Sequence, residues 1–306
     1  MSGSPSILIV SPCRDEADYV EKTLGAMAAQ TLRPTKWVIV DDGSTDGTSE
    51  ILAKWASEHD WIHVVDKPNT GERSVGPGVI NSFYFGLDRE DWRSFDYVCK
   101  LDVDLDLPPG YFEGLLNKFD ADPRLGTCSG KPWFRHPKTG EKLPEPCGDE
   151  MSVGMTKLYR SSCFNEIGGF VRQVMWDGID CHRCRMLGWR ARAYNDPELS
   201  FEHLRAMGSS HKSIWTGRTR HGKGQWFMGT SPWYMGVSAG FRLFQFPVLV
   251  GSAALLWGYF GAAMRGEPRF GDAEMRRAIR KYQWFALTKG KAWLADYSEP
   301  VAGGAT

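Results

Sequence analysis

Residues 36–44 read KWVIVDDGS and residues 97–104 read YVCKLDVD, and these two stretches decide the fold. Each is an apolar run that ends on acids. A short run without polar alternation is the mark of a strand buried on both faces, as in a parallel sheet covered by helices. Such sheets present their ligand-binding groups at the carboxyl ends of the strands. Two sets of carboxylates gathered there need a cation, a ribose or a base edge to offset their repulsion. The pair together points to a metal–nucleotide site.

Working outward, residues 6–11 (SILIVS) form another buried strand, and 16–30 read as a helix with Val20, Leu24 and Met27 near helical spacing. Thr45 or Asp46 caps a helix over 49–57, and 61–65 is a third strand. Helices are expected over 81–87 and 112–119, the latter with Phe112, Leu115, Leu116 and Phe119 on one face. This alternation predicts a mainly parallel α/β sheet with right-handed crossovers. Residues 130–150 are rich in Pro, Gly and charge and read as a long loop or hairpin. An α/β-like stretch covers 154–199. Residues 201–234, with His, Trp, Gly and Arg but little periodicity, suit a mobile lid or active-site wall, with His211, His221, Arg218, Arg220 and Lys223 either closing over phosphate or solvated.

Lys plus Arg equals Asp plus Glu at 37 each, so no global field attracts nucleic acid. Seven scattered cysteines fit reduced thiols better than disulfides, and Cys181 and Cys184 have no second pair to complete a zinc site. No secretory signal is recognised in residues 1–5. Residues 243–264 (LFQFPVLVGSAALLWGYFGAAM) carry no formal charge and approach the ~20 apolar residues that cross a bilayer. Gln245, Pro247 and the glycines dilute them, and Arg265, Arg269, Arg276, Arg277, Arg280 and Lys281 follow. A helix lying on or partly in an anionic membrane surface is preferred to a full span or a buried core helix. The chain is accordingly divided into a catalytic domain, 1–235, and a helical, membrane-associating region, 236–306.

Asp102 and Asp104 alternate along what should be extended chain, so both carboxylates can face one Mn2+ or Mg2+, which favour hard oxygen ligands and phosphates. The acids at 41 and 42 can accept from a base N–H or a ribose hydroxyl, with residues 11–16 as the opposite wall. Arg14 either offsets diphosphate charge or pairs with Asp15 or Glu16.

The segments SPCRDE (11–16), VIVDDGSTDGT (38–48) and KLDVD (100–104) together resemble the family 2 glycosyltransferases of GT-A fold. The resemblance spans about residues 6–232. It implies a Rossmann-like, mixed but mainly parallel sheet, and transfer of a sugar from a nucleotide-diphosphate sugar, by default a UDP-sugar, to an acceptor hydroxyl. Asp42 would read the base, and Pro12, Arg14, Glu16, Lys100 and Asp102 would line the nucleotide pocket. Asp102 and Asp104 would hold the metal, with His203 as a third ligand. Inversion also needs a base for the acceptor hydroxyl. In WDGID (176–180) Asp180 is preferred to Asp177, although it also suits a helix N-cap. The tail resembles those of bacterial members that make surface glycans, which implies a glycan or lipid-linked acceptor at the cytoplasmic face of the inner membrane. Two alternatives stand beside this: sugar-phosphate nucleotidyl transfer, which wants a Gly-rich basic loop after the first strand, and a scaffold without turnover.

Overall fold

The computed structural model describes residues 4–68, 76–205, 214–243, 249–271 and 273–299. The strands are β1 (Ile7–Cys13), β2 (Lys36–Asp41), β3 (Ile62–Asp66), β4 (Tyr97–Leu101), β5 (Leu105–Asp106), β6 (Leu125–Gly130), β7 (Pro132–Arg135), β8 (Lys142–Pro144), β9 (Thr156–Arg160), β10 (Arg190–Tyr194) and β11 (Phe201–His203). The helices are α1 (Val20–Ala28), α2 (Thr48–Glu58), α3 (Pro77–Leu87), α4 (Tyr111–Ala121), α5 (Ser161–Glu166), α6 (Trp176–Met186), α7 (Ile214–Met228), α8 (Pro232–Arg242), α9 (Val250–Met264), α10 (Ala273–Thr288) and α11 (Lys291–Ala295).

A seven-stranded sheet runs β10-β6-β9-β4-β1-β2-β3, parallel throughout except for β9, which pairs antiparallel with β4 and β6. A small second sheet, β5-β11-β7-β8, stands beside it. The apolar runs explain the layering. On β1, Ile7 and Ile9 point into one core with Trp37, Ile39 and Phe112, while Leu8 and Val10 point into another with Val38, Val40 and Phe83. Side chains alternate across a strand, so a strand apolar at every position must be covered on both faces.

The C-terminal helices rest on this core. Ile179 of α6 packs with Met228 of α7 and with Met275 and Ile279 of α10. Tyr282 donates to Glu150 and meets the His182 ring edge-on. The boundary expected at 235 therefore falls inside α8. Residues 214–228, expected as part of an aperiodic lid or wall, form α7, which packs along α9. His221 lies in that helix, where burial and the nearby Arg242 push its pKa down to about 4. His211 lies outside the described residues. Where the two helices cross, a Cβ at Gly222 would meet the Leu255 carbonyl oxygen at 2.0 Å, and one at Gly258 would meet that of Thr219 at 2.0 Å. Only glycine permits that approach, so residues that lower helix propensity here serve packing.

One face of α9 is buried through Ala254, Leu255, Tyr259 and Ala262. The other face is exposed and apolar. Among the described residues no helix is long and apolar enough to cross a membrane.

Candidate active site

The site lies at the carboxyl ends of β1, β2 and β4, where the chain leaves the sheet as loops. At the end of β2, Asp41 is buried and accepts from the Ser44 amide and the Ser49 hydroxyl. Asp42 faces the cleft, bound to Lys67 Nζ at 2.7 Å and the Ser82 hydroxyl at 2.9 Å. Lys67, just past β3, was not singled out from the sequence, where it is one exposed-looking lysine before a proline. Pro12 sits on β1 opposite Val40, and Arg14 lies 3.7 Å from Asp15.

After β4 the chain bends at once. Three contacts fix the bend: the Asp102 amide donates to the Met155 carbonyl, the Thr23 hydroxyl donates to the Val103 carbonyl, and the Leu204 amide donates to the Asp104 carbonyl. The extended geometry expected for residues 102–104 is therefore absent, because β4 ends at Leu101 and β5 begins only at Leu105. The two carboxylates have different neighbours. Asp102 pairs with Lys100, which is buried and also donates to the Gly154 carbonyl at 2.9 Å. Asp104 is 6% exposed, with Oδ2 3.4 Å from His203 Nε2 and 3.0 Å from Arg205 Nη2. Burial and the Asp104 charge push the Asp102 pKa up, against the pull of Lys100. Burial alone would raise Asp104 too, but the hydrogen bonds and charges of His203 and Arg205 bring it below the usual carboxylate value.

On β11, His203 is oriented from behind by Glu145, whose carboxylate lies 3.0 Å from Nδ1. Burial would lower the His203 pKa, yet Asp104 and Glu145 lift it to about 9. A carboxylate on Nδ1 leaves Nε2 aimed at Asp104, an arrangement that recurs behind metal-bound imidazoles. Adjacent ligands of a small octahedral cation at ~2.1 Å stand about 3 Å apart, close to the separation seen here. Among the described residues no three His, Cys, Asp or Glu side chains are grouped to hold an ion unaided. Two ligands suffice where substrate phosphates and water complete the shell. The residues thus fit a hard divalent cation, whose arrival would displace the His203 proton. Glu145, in the Pro-rich 130–150 stretch, carried no sequence signal.

The helix α6 carries the two candidate bases, and their surroundings differ. Asp180 is sealed from solvent, its carboxylate gripped by Lys157 Nζ and the Tyr159 hydroxyl. Lys157, wholly buried on β9, also donates to the Asp177 carbonyl at 2.8 Å and is held protonated chiefly by Asp180. Asp180 is thus tied to β9 and ties α6 to the sheet. Asp177 is open to solvent and lies against the Gly154 backbone, where an added Cβ would come within 3.0 Å of its Oδ2. Gly154 is also the carbonyl that receives Lys100, so Asp177 and the Lys100–Asp102 pair meet at Gly154. Surrounding protein raises the Asp177 pKa, with Asp180 adding and Lys157 subtracting. Met175, just before α6, has φ 68°, a left-handed conformation uncommon for a side chain of its size, and this turn brings Asp177 to the cleft. Lys100 and Lys157, opposite each other across β4 and β9, both approach the Trp176 ring, at 5.3 and 5.6 Å.

Fold and site together define a GT-A protein, a mixed, mainly parallel sheet with acids at its carboxyl edge. Residues 8–176, more than half of the chain, match the family model described as glycosyl transferase family 2, and the chain belongs to that family. A poly-β-1,6-N-acetyl-D-glucosamine synthase of Staphylococcus aureus is 30% identical over 132 residues, 42% of this chain and 29% of the relative. The synthase of Staphylococcus epidermidis is 28% identical over 127 residues, 40% of this chain and 28% of the relative. The match thus spans less than a third of those relatives. Among solved structures, the mannosyltransferase PcManGT of Pyrobaculum calidifontis in complex with GDP-Man and Mn2+ superposes with a TM-score of 0.53 at 18% identity, covering 95% of this chain and 85% of that one. Staphylococcus aureus TarS in complex with UDP-GlcNAc gives 0.52 at 15% identity, covering 94% and 83%. Asp177 and His203 lie beyond the span that the family model matches.

Proposed function

We propose that this protein is an inverting, metal-dependent glycosyltransferase that moves a sugar from a uridine diphosphate sugar to the hydroxyl of a glycan or lipid-linked acceptor. The observation that carries the reading is Asp177, an exposed carboxylate set against Gly154, whose carbonyl receives Lys100, the partner of Asp102. Asp42, held by Lys67 and Ser82, accepts a hydrogen bond from the nucleobase, because an ionised carboxylate offers only acceptors. Asp104 and His203 hold the divalent cation. Mn2+ or Mg2+ bound there supplies Lewis-acid stabilisation of charge on the departing diphosphate. Asp102, paired with Lys100, would take the ribose or assist in holding the cation. Asp177 takes the proton from the acceptor hydroxyl as it attacks the anomeric carbon, opposite the leaving diphosphate. Lys157, Asp180 and Tyr159 keep the first turn of α6, and so Asp177, in place. PcManGT in complex with GDP-Man and Mn2+ and TarS in complex with UDP-GlcNAc share this fold, which supports a nucleotide-diphosphate sugar as the donor class. A screen of nucleotide sugars with Mn2+ tests it: a UDP-sugar should raise Tm and be slowly hydrolysed, and the gain should vanish with EDTA. Stabilisation by a nucleoside triphosphate plus sugar phosphate, with none by any nucleotide sugar, would contradict it.

The same reading puts the protein on the cytoplasmic face of the inner membrane. Along α9, Val250, Trp257, Phe260 and Met264 form one outward stripe, and on α8 Trp233, Val237 and Phe241 form another. Phe241 and Met264 are 76% and 78% exposed. Exposed Arg265, Arg277 and Arg280 follow α9 in the sequence. Apolar stripes bordered by arginine favour a bilayer surface with anionic headgroups. Replacing Trp257 and Phe260 together by Ser should reduce sedimentation with phosphatidylglycerol vesicles at least tenfold. Undiminished sedimentation would rule out this face as the contact.

A further inference from the structure

Two nitrogen-bearing side chains meet at one carboxylate oxygen in the candidate site. Arg205 Nη2 lies 3.0 Å from Asp104 Oδ2 and 2.7 Å from Glu16 Oε1, while His203 Nε2 faces the same Asp104 oxygen. Asp104 and Glu16 are each only 6% exposed, and they come from different loops, one after β4 and one after β1. The guanidinium also lies over the Tyr19 ring at 5.3 Å, so it is steered from the side as well as from the front. Two buried carboxylates this close require a cation, because an uncompensated buried charge is costly. In the protein alone, Arg205 is the cation that touches both.

A metal ion at Asp104 and His203 would meet this arrangement as a competitor. It needs the Asp104 oxygen that Arg205 occupies, and two cations on one carboxylate repel. A diphosphate changes the balance, since its negative charge can accommodate both, and its oxygens accept the planar fork of an arginine well. We propose that Arg205 is the resident counter-cation of the site and makes metal binding conditional on the nucleotide diphosphate. The inference rests on the metal and donor reading above. Before the donor arrives, Arg205 holds the loops after β1 and β4 together and keeps divalent ions out. With the donor present it gives up Asp104 for the phosphates. Linkage then makes nucleotide and metal each strengthen the other, with Arg205 carrying the coupling.

Mn2+ titration of the full chain, read as the loss of the free Mn2+ electron paramagnetic resonance signal, tests this with and without UDP. The wild-type protein should bind Mn2+ weakly alone and more tightly with UDP. Arg205→Gln should bind Mn2+ alone about tenfold more tightly, and the further gain from UDP should shrink by a similar factor. Lys22→Gln removes a rim charge that pairs with Asp106 and Glu202, and should change neither value, which separates the specific contact from net charge. Unchanged or weaker binding of Mn2+ alone by Arg205→Gln overturns the proposal, as does an equal gain in Lys22→Gln. Should Arg205→Gln fail to fold, Arg205→Lys breaks the bridge while keeping the charge, and its tighter or unchanged Mn2+ binding decides in the same way. A wild-type chain that takes up no Mn2+ even with UDP would fell the functional reading as well, whereas intact UDP-dependent uptake with an inert Arg205 fells this proposal alone.

Discussion

Asp177→Asn should lower kcat by about a hundred- to ten-thousand-fold, the usual contribution of a positioned general base, while leaving the affinity for UDP within a factor of about two. Asn fills the same space against Gly154 but cannot take a proton. The wild-type pH profile should carry the same signature. Asp177 acts deprotonated, and its pKa is raised above 3.8 by its surroundings, so kcat should climb with pH through an apparent pKa above that value. In Asp177→Asn this limb should disappear. Asp180→Asn should behave differently: it weakens the grip of Lys157 and Tyr159, and costs stability first and turnover through misplacement. A full rate loss in Asp180→Asn at unchanged Tm, with Asp177→Asn near normal, would restore the order that the sequence suggested.

Asp104→Asn should have a comparable effect through a different step. Its carboxylate is the one that His203 and Arg205 share, and Asn halves its acceptor capacity and removes its charge. Weakening even the outer partners of a metal ligand typically costs 10–100-fold in metal affinity, so loss of a ligand itself should cost at least that. Mn2+-dependent turnover should fall at least a hundredfold, and excess Mn2+ should restore part of it. The Asn side chain still fits the bend after β4, where Leu204 and Thr23 hold the main chain, so the fold should persist. Turnover that is unchanged at every Mn2+ concentration would remove Asp104 from the metal site.

The parts of the fold legible in the sequence are those where one physical demand dominates. In β1, β2 and β4 the demand is burial on both faces, which leaves runs such as Ile7–Val10 and Trp37–Val40 without polar alternation and so without ambiguity of period. Acids at the ends of such strands then mark the cleft. What the sequence concealed depends on residues far apart in the chain. The choice between Asp177 and Asp180 turns on Lys157 and Tyr159 of β9, which seal one and leave the other open. Glu145 matters only because β11 brings His203 to it. The helix α7 was hidden for another reason: its glycines at 222 and 224 weaken the helical pattern, yet they are required by contact with Leu255 and Met175. Lys157 sits in the middle of β9 beside Leu158 and Tyr159, and had that strand been recognised as buried, its ammonium would have implied a buried acid nearby.

The central claim is that Asp104 and His203 hold a divalent ion against a nucleotide diphosphate, and anomalous scattering from crystals soaked with UDP and Mn2+ tests it most directly. A single manganese peak should lie between Asp104 Oδ2 and His203 Nε2 and touch the diphosphate, with Arg205 turned from Asp104 toward phosphate oxygen. UDP bound without that peak, and with Arg205 still bridging Asp104 and Glu16, would contradict it.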